Sequence, residues 1–263
     1  MKNYKKNVER PSKTRVQRGV FQILSEMHKL YDNEPKVYRT YLCLPSTTPH
    51  KGCVQQLFEA GLIDHNTNII GIEGGDGLEK AGPNIKARLS RMGFRKNSLI
   101  NKKICDIRLH DLYSALNGMD HPIDLVYLDT CSILNNDMQQ FIDDVLMSPY
   151  APVTKDATII TNFVGTMRTF KEDVQKYNST SSLSLATGSI KPANDNAVNV
   201  SRCLYEKLGR ITDICVSYKE HGKKSSMILS VNKTRLSQLN LEHQEKIRER
   251  VDMLQNTGYN EET

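Results

Sequence analysis

Five short apolar runs recur along the chain with helix-like segments between them, and this alternation limits the fold more than any other feature. The runs cover residues 37–44, 68–73, 100–105, 123–129 and 157–163. The clearest is Ile123-Asp124-Leu125-Val126-Tyr127-Leu128-Asp129, and Asn68-Ile69-Ile70-Gly71-Ile72-Glu73 is nearly as continuous. Unbroken apolar strands of this kind belong to sheets covered on both faces. Segments 52–60, 78–92, 110–117 and 137–146 read as helices, and Gly61 and Gly93 close the first two. Strands joined through helical crossovers run parallel. The pattern changes near the end, where runs 211–218 and 226–231 flank the polar, glycine-containing stretch 219–224. That arrangement predicts a β-hairpin, so at least one of its strands is antiparallel.

The flanking segments are read from the same periodicities. From Arg18 onward Val20, Phe21, Leu24, Met27 and Leu30 fall at helical spacing and form one apolar face. Pro83 counts against the first turn of the 78–92 helix and shifts its expected regular start toward residue 83. Residues 170–177 and 201–208 read as helices, 178–194 as a long Ser/Thr/Asn-rich loop, and 236–254 as a charged amphipathic helix. The expected organisation is a basic N-terminal arm over 1–18, an α/β domain over 19–235, and a C-terminal helix and tail over 236–263. A chain of 263 residues is long enough for one such domain with a real core.

Composition adds a few exclusions. The six cysteines form no CxxC pair, and several lie inside apolar runs, as in Tyr41-Leu42-Cys43-Leu44. They read as small buried hydrophobes in a reducing compartment, which predicts a cytoplasmic protein with no disulfide framework. The histidines show neither HExxH nor HxH spacing, so no metal site is expected. No apolar stretch is long enough to span a bilayer. The net charge is +6, and residues 1–18 hold Lys2, Lys5, Lys6, Arg10, Lys13, Arg15 and Arg18 against the single acid Glu9. A segment like this is ordinarily a solvated tail. The sharper expectation is a phosphate-contacting arm, in which Lys5, Lys6, Arg10, Lys13, Arg15 and Arg18 would bind nucleic acid.

An open sheet of this type binds its ligand at the carboxyl ends of the strands, near the point where the strand order reverses. Five parallel-type strands followed by a hairpin resemble the class I S-adenosylmethionine-dependent methyltransferases over about residues 37–232. The resemblance implies a Rossmann-like, seven-stranded, mostly parallel sheet with helices on both faces and a C-terminal antiparallel hairpin. It also implies S-adenosylmethionine as cofactor. Glu73 matches the acid that ends the second strand and holds the cofactor's ribose hydroxyls, with Gly74 opening the loop on the adenosine side. Asp106 matches the acid that commonly contacts the adenine amino group, with Ile107 beside it. Asp129 matches the fourth-strand acid that faces the methyl group and the substrate, and Asn162 is a polar residue ending the fifth strand. Each acid is also compatible with an ordinary strand-end residue or helix N-cap, and their order along the chain is the stronger signal.

The first loop departs from the family. A glycine-rich turn normally follows the first strand, but here it reads Leu44-Pro45-Ser46-Thr47-Thr48-Pro49-His50-Lys51-Gly52. Two prolines remove two backbone donors. Pro45, Ser46 and Thr47 are the expected cofactor contacts there, and the P-loop pattern is absent. Thr130-Cys131 looks like the cysteine loops of RNA 5-methylcytosine methyltransferases, which would make Cys131 a nucleophile. The proline and second cysteine of those loops are missing, so a packed or substrate-loop cysteine is the other reading. Three functions follow: a methyltransferase acting on nucleic acid, RNA ahead of DNA; a methyltransferase-like fold that no longer catalyses and serves as a nucleic-acid-binding or assembly module; and, third in order, another nucleotide-using Rossmann-like enzyme.

Overall fold

The protein is described as a computed structural model over residues 11–32, 36–45, 52–74, 78–129, 136–164, 212–219, 226–232 and 236–260. Seven strands form one sheet: β1 (Thr40–Cys43), β2 (Asn68–Ile72), β3 (Asn97–Ile100), β4 (Ile123–Asp129), β5 (Val153–Val164), β6 (Thr212–Lys219) and β7 (Ser226–Asn232). Their order is β3-β2-β1-β4-β5-β7-β6. The first five pair parallel, while β7 pairs antiparallel with both β5 and β6. The chain steps outward from β1 through β2 to β3, then returns to place β4 on the other side of β1. The reversal therefore lies between β1 and β4, where a doubly wound sheet opens a crevice at its carboxyl edge.

Helices cover both faces, and the strands' apolar runs supply a core to each. On one face Tyr41, Leu125, Tyr127 and Tyr218 pack with Phe21 and Leu24 of helix α1 (Pro11–Asp32), Leu57 of α2 (Cys53–Glu59) and Leu89 of α3 (Leu78–Arg91). The last helix of the described chain, α6 (Leu241–Asn260), adds Ile247 and Val251 to the same cluster. The opposite face joins Leu42, Ile70, Val126, Leu128 and Ile159 to Leu112 of α4 (Leu109–Ala115). Met138 and Phe141 of α5 (Asn136–Phe141), and the π-helical turn Ile142–Leu146 that continues it, complete that core. Alternate residues of β4 thus serve the two clusters, which is why its sequence is apolar from Leu125 to Leu128, while Asp124 accepts from the Arg39 and Thr40 backbone N–H groups.

Gly61 closes α2 as expected, at φ +71. The Leu62 N–H donates to the Leu57 carbonyl and the Gly61 N–H to the Phe58 carbonyl, both at 3.0 Å, a pattern that needs a left-handed residue at this point. Several boundaries differ from the sequence expectation: β1 begins at Thr40 and not 37, β5 begins at Val153 and not 157, and four further elements shift. Helix α1 starts at Pro11, so residues 11–18 of the expected arm are helical. Proline suits a first helical position, and the fully buried Val16 extends the apolar face by one turn. Helix α3 runs from Leu78 with Pro83 in its interior. Strand β3 spans Asn97–Ile100 and not 100–105, and Ile104–Asp106 is a 3-10 turn. In the final helix, Asn240 accepts a 2.8 Å hydrogen bond from the His243 N–H, so the α-helix begins at Leu241 after a separate 3-10 turn at Leu236–Gln238. The expected helices at 170–177 and 201–208 and the loop 178–194 lie outside the described residues. Among the described residues no helix is long and apolar enough to cross a membrane.

Candidate functional site

The carboxyl ends of β2, β1, β4 and β5 bring four sequence-derived residues to one edge of the sheet. Glu73 follows β2 directly, and its backbone N–H donates to the Ile100 carbonyl at 3.1 Å, which holds it beside β3. Its carboxyl is half-buried and has no hydrogen-bond or ion-pair partner among the described residues. Burial pushes its pKa up from the usual value, because the charged form loses hydration without gaining a partner. The next residue must be small: a Cβ on Gly74 would lie 2.3 Å from the Lys102 carbonyl oxygen and 2.5 Å from the Lys103 Cα. The chain leaving β2 is thereby pressed against the segment that follows β3.

The departure from β1 is packed in a similar way. Pro45 is buried, and its ring lies over Gly71, where a Cβ would stand 2.8 Å from the proline Cγ. Pro45 therefore serves the packing of β1 on β2 at its described position. Ser46 and Thr47 lie outside the described residues, as does Cys131. Asp106 is exposed in the 3-10 turn, six residues beyond the end of β3, while its neighbour Ile107 is fully buried in the α4–α5 core. Ile107 also lines a cavity of about 320 Å³, together with Cys105, Arg108, His110, Gln140 and Asp144.

Asp129 ends β4 and pairs in register with Asn162, two residues before the end of β5. The Asn162 Nδ2 donates to Asp129 Oδ1 at 3.1 Å, and the buried Tyr218 hydroxyl donates to Asn162 Oδ1 at 3.1 Å. The hydroxyl fixes which way the amide faces, so its NH2 points at the carboxylate. From above the sheet, α1 supplies the other donors: Lys13 Nζ reaches Asp129 Oδ2 at 2.6 Å, and Gln17 Nε2 reaches the same oxygen at 3.3 Å. Gln17 also contacts the Tyr127 hydroxyl. Burial, and then the charge of Asp129, raise the Tyr127 pKa well above its ordinary value, so this hydroxyl stays protonated. Beneath the group, the Tyr41 hydroxyl donates to the Cys53 sulfur at 3.2 Å. A hydrogen bond from Cys43 is the largest influence on the Cys53 thiol and lowers its pKa against the effect of burial. Burial pushes the Cys43 thiol up.

Gln17, Tyr127 and Tyr218 are the members that sequence reasoning missed. Lys13 was assigned to a phosphate-contacting arm, but it lies against Asp129. The spacing of Lys13 and Gln17 by four residues was a readable signal, since it places both on one face of a helix. Arg18 also faces an acid, Glu59, at 3.4 Å, although both side chains are about half exposed and the pair contributes little. Lys5, Lys6 and Arg10 lie outside the described residues. Among the described residues no three His, Cys, Asp or Glu side chains gather as metal ligands.

The chain matches no family model and no curated protein. Several solved structures are similar to it. An O-methyltransferase from Bacillus cereus in complex with S-adenosylhomocysteine is 14% identical, with TM-score 0.44, over 86% of this chain and 83% of that one. The glycopeptide N-methyltransferase MtfA, also complexed with S-adenosylhomocysteine, is 8% identical, with TM-score 0.44, over 80% of this chain and 86% of that one. TrmN from Thermus thermophilus is 8% identical, with TM-score 0.40, over 80% of this chain but only 48% of that one. The chain's own strand order defines its class: a doubly wound α/β sheet of five parallel strands, extended by an antiparallel pair.

Proposed function

We propose that the protein is an S-adenosylmethionine-dependent methyltransferase of the class I, Rossmann-like type. The observation that carries this reading is Glu73. A half-buried carboxylate with no described partner, at the end of β2 and one strand from the order reversal, is costly to keep unless a ligand supplies donors. The paired hydroxyls of a ribose are such donors, and the site fits the cofactor in that respect. Gly74 continues the turn beside it, and Asp106 is exposed on the following loop. The bound cofactor supplies a methyl group on a sulfonium sulfur. The chain's part is to hold donor and acceptor in line, which needs little acid–base chemistry. Asp129 offers hydrogen-bond acceptors to an incoming N–H or O–H group, and Asn162 and Tyr218 fix its orientation.

A nucleic-acid acceptor, RNA ahead of DNA, is the finer part of the proposal. Its support is the +6 charge concentrated in the first residues and the Thr130-Cys131 sequence after β4. Lys13 and Arg18 face acids, so phosphate contact would fall first to Lys5, Lys6 and Arg10. The other reading, a methyltransferase-like fold without activity, draws on the prolines of the first loop. Ligand binding separates the two in the first instance. S-adenosylhomocysteine at 1,000 times its Kd should stabilise the fold by about 4 kcal/mol and raise Tm by roughly 10 °C in differential scanning fluorimetry. An unchanged Tm at millimolar ligand would remove the cofactor from the account. With binding in hand, transfer of labelled methyl groups to RNA but not to DNA or protein is the expected result of an acceptor screen.

A further inference from the structure

The ion pair at the end of β4 joins a helix outside the sheet to the residue expected at the reacting end. Lys13 and Asp129 are 13% and 14% exposed in their side chains, so the pair is largely removed from water. The sheet supplies Asp129 with a neutral donor, Asn162, which is fully buried and fixed by Tyr218. The positive charge comes from the first turns of α1. Gln17, one turn further on, adds a neutral donor to the same oxygen. Lys13 is thus a cation on this carboxylate that the sheet does not carry.

We propose that Lys13 is an internal counter-ion that sets the electrostatic potential at the reacting end and so discriminates between charged and neutral forms of the bound ligand. The inference rests on the cofactor reading given above. S-adenosylmethionine carries a sulfonium cation, and its product S-adenosylhomocysteine is a neutral thioether at that atom. The two differ by one unit of charge close to where Asp129 lies. With Lys13 in place the carboxylate is neutralised, and positive charge on the ligand gains little from it. A positive charge that is disfavoured in the bound donor and lost on transfer makes Lys13 a rate-promoting influence without contact to the reacting atoms. Without Lys13, Asp129 would attract the sulfonium directly.

The test is a comparison of dissociation constants by isothermal titration calorimetry, with the full chain and both ligands. Lys13→Met is expected to tighten S-adenosylmethionine relative to S-adenosylhomocysteine by roughly 10-fold, the size that one unit charge exerts at about 10 Å and an effective dielectric of about 20. Lys13→Arg keeps the charge and should leave the ratio within about 2-fold of wild type. Asp129→Asn should move the ratio the opposite way, against the cation. The neutral ligand is the internal control, because damage to the fold weakens both ligands alike. Lys13→Gln keeps a donor to Asp129 without the charge and carries the same expectation as Lys13→Met if the latter is unstable. A Lys13→Met or Lys13→Gln ratio equal to wild type, with neutral-ligand affinity preserved, would overturn the counter-ion role and leave the cofactor reading standing. Absence of binding by either ligand to the wild-type chain would overturn both.

Discussion

Replacing Glu73 by alanine is expected to weaken S-adenosylhomocysteine binding roughly 100-fold, since two hydrogen bonds to a charged acceptor together contribute about 3 kcal/mol. The same change should leave the free protein as stable as before, or slightly more stable. The carboxyl has no described partner to lose, and burial already disfavours its charged form. The pH dependence follows from the direction of that shift. A carboxyl whose pKa is raised on folding binds its proton more tightly in the folded state, so stability falls as pH rises from the usual glutamate value of about 4.3 through the folded value. The Tm of Glu73→Gln should therefore exceed that of wild type near neutral pH, and the difference should vanish below about pH 4. Equal S-adenosylhomocysteine affinity for Glu73→Ala and wild type would place the ribose elsewhere.

Phe21→Ala is expected to be the most damaging single change to the fold, with a loss of about 3–5 kcal/mol. Phe21 is fully buried, and its ring meets Tyr127 edge-on with centroids 5.8 Å apart. That contact fastens the middle of α1 to β4. The same helix packs against α6, where Gly19 gives way to Leu254: a Cβ at Gly19 would lie 2.4 Å from the leucine Cδ2. Truncating Phe21 leaves a cavity between helix and sheet that neither rigid neighbour can fill. The measurement is urea unfolding followed by circular dichroism, and a loss below about 1 kcal/mol would show that α1 is not held in this way. Because α1 also carries Lys13 and Gln17, a variant that displaces this helix should in addition shift the ligand ratio in the direction of Lys13→Met, toward the charged ligand.

The parts of the fold that were legible in the sequence are those where one requirement dominates. Strand β4 was read to the residue, because a strand covered on both faces is apolar along most of its length, and Asp129 marks where that cover ends. Gly61 was legible because few other residues take the backbone it needs. Strand β3 begins three residues and ends five residues before the expected run: it is an edge strand with three of its four residues only partly buried, and its sequence Asn-Ser-Leu-Ile carries little periodic signal. The apolar residues Ile100 and Ile104 lie on either side of a break that burial alone does not announce. At the site, Glu73, Asp129 and Asn162 could be named from their places after strands. Their surroundings could not, because Lys13 meets Asp129 across 116 positions of sequence and Tyr218 meets Asn162 across 56. Charge pattern alone assigned Lys13 to solvent or phosphate. Only the docking of α1 turns it toward a carboxylate.

The most direct test of the account is a crystal structure of the protein with S-adenosylhomocysteine. The adenosyl group is expected at the carboxyl edge of β1 and β2, with both ribose hydroxyls within about 3 Å of the Glu73 carboxylate and the sulfur directed toward Asp129. Density for the ligand in the cavity beside Ile107 and Asp144 with Glu73 uncontacted, or no density at saturating ligand, would contradict it.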